Sequence, residues 1–145
     1  TGSYLSLNCF IDFKIKNIYL QLMATIKSTD ETFEKLLKEH KNLYVDFWAS
    51  WCGWAHSPFR EWVHPYKKSG PCVQLAPVLE EISSSMPDVT IAKHNVEEEP
   101  NTPVKFSVTG IPHCILFVNG EKKAVKVGAT NKADVIDFLK SNKAT

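Results

Sequence analysis

No run of about 18 consecutive apolar residues occurs in this chain, so no membrane-spanning helix is expected. No sign of charge dominates. The 17 Lys and Arg against 16 Asp and Glu leave a net charge near +1, which gives no ground for binding nucleic acid or an anionic membrane surface. Cysteine is sparse: Cys9, Cys52, Cys72 and Cys114 are the only four in 145 residues. That is not the framework of a small secreted protein held by disulfides, and a chain of this length can bury a core without such staples. A secretory signal is lacking too, because Asp12, Lys14 and Lys16 interrupt the apolar part of the first residues. Nor is there a Met at position 1. The expectation is that the native protein begins at Met23 and that residues 1–22, whose composition differs from the rest, are an extension, a tag or leader. Phe13 and Ile15 within it alternate with polar residues, as in a short added strand.

What is present is an ordinary globular composition, 43% apolar and 23% charged, and a regular pattern from Ala24 onward. Ala24–Lys27 reads as a short strand. Ser28-Thr29-Asp30-Glu31 reads as a capping box with Ser28 as N-cap, opening a helix whose face is Phe33, Leu36 and Leu37 and which ends near Lys41. Leu43–Trp48 is a strand apolar on both faces except at Asp46, and Val73, Leu75, Val78, Leu79 and Ile82 line a helix interrupted by Pro77. A strand over Val89–His94 and a short helix around Val104–Phe106 follow. Ile115–Val118 and Lys123–Val127 form a hairpin about Asn119-Gly120, a pair that suits the two positive-φ positions of a type I′ turn. Ala133–Leu139 closes the chain as an amphipathic helix. The order β-α-β-α-β-α-β-β-α predicts an α/β fold: a central mixed β-sheet flanked by helices on both faces.

The central strand runs directly into a cysteine, in Val45-Asp46-Phe47-Trp48-Ala49-Ser50-Trp51-Cys52-Gly53, and a second cysteine opens the next helix in Gly70-Pro71-Cys72. Between them lie the 17 residues Trp54–Gly70. With these removed, the ends join as Trp51-Cys52-Gly53-Pro71-Cys72. A C-x-x-C pair within a βαβ-like pattern points to redox chemistry in a reducing compartment. Together with Val45–Cys52, Pro71–Glu80, Ile91–Asn95, Gly110-Ile111-Pro112, Leu116–Glu121 and Val127-Gly128-Ala129, the joined motif resembles the thioredoxin family over residues 23–145 apart from the insert.

The resemblance implies a thioredoxin-like fold and a thiol–disulfide oxidoreductase that reduces protein disulfides, serving electron transport and cell redox homeostasis in the cytoplasm. Its partners would be disulfide-containing proteins and a thioredoxin reductase, with a redox-active Cys52–Cys72 disulfide and no bound cofactor. Cys52 is then the attacking nucleophile, its thiolate favoured by a helix N-terminus, and Cys72 the resolving thiol. Asp46, buried and so raised in pKa, would pass protons to Cys72, with Lys93 beside it; a purely structural Asp46 in a polar pocket is the other reading. Pro112 matches the cis-proline that holds the substrate backbone. Trp51, Gly53, Pro71 and Gly128 complete the substrate-binding positions. His113 stands where the family usually has threonine; it either influences the Cys52 thiolate or is a surface histidine without a task. Cys114 and Cys9 read as inert thiols.

Three readings of Trp54–Gly70 compete. It is a loop displayed on the scaffold to bind a protein partner, with Trp, Tyr and Arg as contact residues. Or its aromatics fold back over the active-site surface. Ser57 and Pro58 could start a helix there, with Phe59, Trp62, Val63 and Tyr66 on one face and Pro65 limiting its length. Or Cys52, His56, His64 and Cys72 bind zinc, at spacings that match no common module, so that no metal is expected. In any of these the interruption removes the local N–H groups that would lower the Cys52 pKa, and weakened or abolished reductase activity is expected.

Overall fold

Period-two alternation, with both faces apolar, decides where the central strand must lie. In β2 (Asn42–Trp48), Leu43, Val45 and Phe47 point to one face and Tyr44 and Asp46 to the other, and residues 42–47 are all buried. A strand with water on neither side belongs in the middle of a sheet covered twice. The computed structural model describes residues 25–50, 71–128 and 130–145, and β2 is the centre of its five-stranded sheet. The other elements are β1 (Ile26–Ser28), α1 (Phe33–Glu39), α2 (Pro71–Ser85), β3 (Thr90–Asn95), α3 (Asn101–Lys105), β4 (His113–Val118), β5 (Glu121–Val127) and α4 (Lys132–Asn142). The strand order is β1-β3-β2-β4-β5. β1 and β2 run parallel to β3, while β4 is antiparallel to β2 and β5 to β4. This is the mixed α/β architecture that the element order implies.

Each face carries its own core. Leu75, Leu79 and Ile82 of α2 and Val135 and Leu139 of α4 pack on Tyr44, Ile91, Cys114 and Leu116. On the other face Phe33 and Leu37 of α1 pack on Leu43, Val45, Phe47, Ala92, Ile115 and Phe117, with Phe106 at the edge. The hairpin turns as expected, with Asn119 at φ 51° and Gly120 at φ 82°. A bulge between Leu116 and Phe117 interrupts its ladder.

Two local expectations are corrected. Ser28 does not cap α1. It is the last residue of β1, fully buried, with Oγ 3.0 Å from Nδ1 of His94. The reciprocal exchange lies one residue later, in the turn before the helix: Thr29 Oγ1 accepts from the Thr32 N–H at 3.1 Å, and Thr32 Oγ1 from the Thr29 N–H at 3.0 Å, while Thr32, the N-cap of α1, makes no side-chain capping bond. The short helix after β3 spans Asn101–Lys105, ahead of the expected Val104–Phe106, and Val104 is 77% exposed. Its start is held from a distance. Asp30 accepts from the backbone N–H groups of Asn101 and Thr102 at 3.0 and 2.8 Å and from the Thr102 hydroxyl at 2.6 Å. A cap supplied from 71 residues away leaves no mark on the local sequence.

Candidate active site

The sheet register lines up four polar side chains across the face beneath α2 and α4. Asp46 of β2 lies opposite Lys93 of β3 on one side and Cys114 of β4 on the other, and Cys114 lies opposite Lys126 of β5. Asp46 is 2% exposed. Burial pushes its carboxyl up from the ordinary 3.8 to about 6, an effect partly offset by a hydrogen bond from Cys114 and by the charge of Lys93. The Cys114 thiol donates to Asp46 Oδ1 at 3.6 Å, a normal separation given the size of sulfur. Burial beside that carboxylate pushes Cys114 well above the usual thiol range, so it remains a proton donor. Lys93 faces Asp46 as the resemblance implies, but its Nζ bridges to Glu80 of α2 at 3.5 Å. Glu80 also accepts from the Thr25 hydroxyl at 2.6 Å.

Cys72 is the second residue of α2 and is buried. It is disulfide-bonded, with its partner outside the described residues, whereas Cys114 is a free thiol. Pro71 precedes it in the first turn, where a missing N–H costs the helix nothing. Trp51, Cys52, Gly53, the insert Trp54–Gly70 with His56 and His64, Cys9, and the whole of residues 1–22 lie outside the described residues. The chain leaves β2 under restraint: the Ser50 hydroxyl donates to Glu97 at 2.7 Å, and the Val96 N–H to the Trp48 carbonyl at 2.9 Å. These contacts tie the approach to Cys52 onto the end of β3, and sequence reasoning missed them.

Pro112 and Gly128 come together at the other edge of the site. The Ile111–Pro112 bond is cis, and the Gly128 N–H donates to the Pro112 carbonyl at 2.9 Å. Gly128 has φ +87°, and a Cβ there would meet nothing within 4 Å. It thus leaves an open edge that only glycine occupies without backbone strain. His113 is not a surface histidine. It is 8% exposed, packs its ring against Phe47 with centroids 6.4 Å apart, and so lies on the face opposite Asp46. Burial, with the charge of Lys122, lowers its pKa, and Nε2 has no hydrogen-bond partner among the described residues. Cys114 is a buried free thiol that stays protonated, as an inert thiol would be, and what the sequence did not show is its bond to Asp46. No local signal announces that contact, because it depends on the β2–β4 register.

Comparison with known proteins bears on the family and the fold. The Thioredoxin family model matches residues 66–141. The chain is 40% identical over 120 residues to a thioredoxin of Acidithiobacillus ferridurans, covering 81% of this chain and 95% of that protein. It is 40% identical over 119 residues to a thioredoxin of Buchnera aphidicola subsp. Schizaphis graminum, covering 81% and 94%. Among solved structures, the N21Q mutant thioredoxin from Halobacterium salinarum NRC-1 superposes with a TM-score of 0.69 at 23% identity, over 86% of this chain and 95% of that one; that likeness concerns the fold. With a family model matching more than half of its length and two relatives at this identity, the chain belongs to the thioredoxin family.

Proposed function

We propose that this chain reduces protein disulfides through a dithiol/disulfide pair formed by Cys52 and Cys72. The observation that carries the proposal is the state of Cys72: at the start of α2, buried and disulfide-bonded, while Cys114 stays free. In the forward direction the Cys52 thiolate attacks one sulfur of a substrate disulfide. The other substrate sulfur leaves as a thiolate, and a mixed disulfide forms. Cys72 then loses its proton and attacks the Cys52 sulfur. The second substrate thiolate leaves, and two electrons have passed from the pair to the substrate. Asp46, whose carboxyl burial raises to about 6, takes up the proton that Cys72 must lose. Pro112 and Gly128 offer the substrate backbone an open edge, and by family resemblance Trp51, Gly53 and Pro71 are further substrate-binding positions.

The oxidised pair is returned to the dithiol by a thioredoxin reductase, and no bound cofactor is needed for the exchange itself. Work of this kind requires a compartment that keeps thiols reduced, and we place the protein in the cytoplasm. The 17 residues Trp54–Gly70 between the two cysteines slow the reaction, because Cys52 is no longer followed directly by the helix whose N–H groups favour its thiolate.

Insulin-disulfide reduction by the full chain, by a variant lacking residues 54–70 and by Cys72→Ser tests this. The expected order is deletion variant fastest, full chain slower but above background, Cys72→Ser at background. Equal rates for the full chain and the deletion variant would overturn the inhibitory role of the insert. Turnover by the deletion variant alone would overturn the reductase reading of the full chain in favour of a scaffold presenting residues 54–70 to a protein partner.

A further inference from the structure

The row across the sheet contains a group that thiol–disulfide exchange does not call for. Cys114 is 2% exposed and its thiol donates to Asp46 Oδ1 at 3.6 Å. Among the described residues this weak sulfur donor is the one hydrogen-bond partner of that carboxylate. We propose that Cys114 is a positioning residue for Asp46: its thiol orients the buried carboxylate beneath α2 and sets how readily that carboxylate takes up and releases a proton.

Geometry and charge agree on the direction of the effect. The thiol stands at the β4 position directly opposite Asp46, so the contact is built into the ladder rather than into a mobile side chain. A donor on the charged form favours the carboxylate, and its removal leaves burial less opposed. Among the described residues, other ionisable groups lie on this face. Lys93 on β3 faces Asp46 but is drawn to Glu80 of α2. Lys27 on β1 lies beyond it and reaches Glu98 at 3.5 Å. Lys126 on β5 flanks Cys114, Tyr44 lies two residues before Asp46 on β2, and Cys72 is on α2. The Tyr44 hydroxyl lies close enough to interact with both the thiol and the carboxylate, but makes no hydrogen bond to either among the described residues.

The inference rests on the proton-transfer role of Asp46 proposed above, and the test separates the two. The carboxyl carbon of Asp46 is followed by NMR against pH in the full chain, in Cys114→Val, which keeps the bulk and removes the donor, and in Cys114→Ser, which restores a hydroxyl donor. Insulin-disulfide reduction is measured on the same proteins and on Asp46→Asn. The Asp46 midpoint is expected to rise by about 1 pH unit in Cys114→Val, the scale of one lost hydrogen bond to a charged group, and to return toward the original in Cys114→Ser. The pH profile of turnover should shift with it. An unmoved midpoint in Cys114→Val, with the protein still folded by its amide spectrum, would overturn the inference. A shifted midpoint combined with full turnover by Asp46→Asn would uphold the positioning and overturn only the proton-transfer role.

Discussion

Two fully buried ionisable side chains sit on opposite faces of the same sheet and are treated differently. His94, on the α1 face, is satisfied at both ring nitrogens. Nε2 donates to the Glu99 carbonyl at 2.9 Å and Nδ1 pairs with the Ser28 hydroxyl at 3.0 Å, while Phe33 and Phe47 pack on the ring. Asp46, on the α2 face, has a thiol at 3.6 Å. A buried polar group with full hydrogen bonding holds its surroundings in place. One with a weak partner keeps the cost of its own desolvation, expressed as an altered affinity for protons. The first kind of site builds a fold, and the second is suited to chemistry.

The sharpest way to break this contrast is His94→Ala. It removes a fully buried ring, and it orphans a buried hydroxyl and a partly buried carbonyl. A loss of about 4 kcal/mol is expected, from the cavity and the unpaired groups together. Urea unfolding monitored by circular dichroism would measure it. A loss below about 1 kcal/mol would show that the His94 network holds nothing.

Asp46→Asn should act in the opposite direction. The folded-state pKa of Asp46 is raised, so the folded chain holds this proton more tightly than the unfolded chain does. Between about pH 4 and pH 6 folding favours the protonated form; stability from this group falls as pH rises through that window, and the full penalty stands above it. The gap from 3.8 to about 6, at about 1.4 kcal/mol per pH unit, amounts to about 3 kcal/mol. Unfolding curves at about pH 8 should therefore show Asp46→Asn more stable than the natural chain by up to that amount. At about pH 4 the two should coincide. Equal stabilities at both pH values would contradict the raised pKa, and with it the contrast between the faces.

Much of this frame was legible in the sequence. β2 announces itself by apolar residues at both parities, and Asp46 stands out as the one charge among them. Asn119-Gly120 specifies its turn by φ alone. What escaped reading depends on partners distant along the chain. Ser28 followed by Glu31 has the form of a capping box, but a buried histidine 66 residues away takes the serine, and the exchange slips to Thr29 and Thr32. The short helix α3 carries no start signal of its own, because Asp30 supplies it. Cys114 and His113 are neighbours on β4, and neither shows in the sequence which side chain it will meet. Strand alternation sends one to Asp46 and the other to Phe47, and only the register of β2 on β4 decides which.

Ser28→Ala sharpens the His94 side with a smaller change. It deletes one oxygen and leaves the ring with one unpaired nitrogen, so a loss of about 1–2 kcal/mol is expected. The double variant Ser28→Ala with His94→Ala should be less destabilising than the sum of the two, because the same hydrogen bond is removed in each. Additive losses would mean that the serine and the histidine act independently despite their 3.0 Å contact.

The smallest effect is expected from Lys93→Gln, which tests how far charge rather than hydrogen bonding governs Asp46. Lys93 stands opposite the carboxylate in the β2–β3 ladder, but its ammonium is 3.5 Å from Glu80 and its side chain is 27% exposed, so water and a competing anion both weaken its hold on Asp46. Loss of its charge removes a favourable interaction with the ionised form, and the Asp46 midpoint should rise by about a few tenths of a pH unit. The shift should shrink further at high salt, whereas the shift from Cys114→Val should not, because a buried hydrogen bond is not screened. If instead Lys93→Gln moved the midpoint more than Cys114→Val, the cation and not the thiol would govern the carboxylate. The α2 face would then be an ion pair of the ordinary kind rather than an under-satisfied acid.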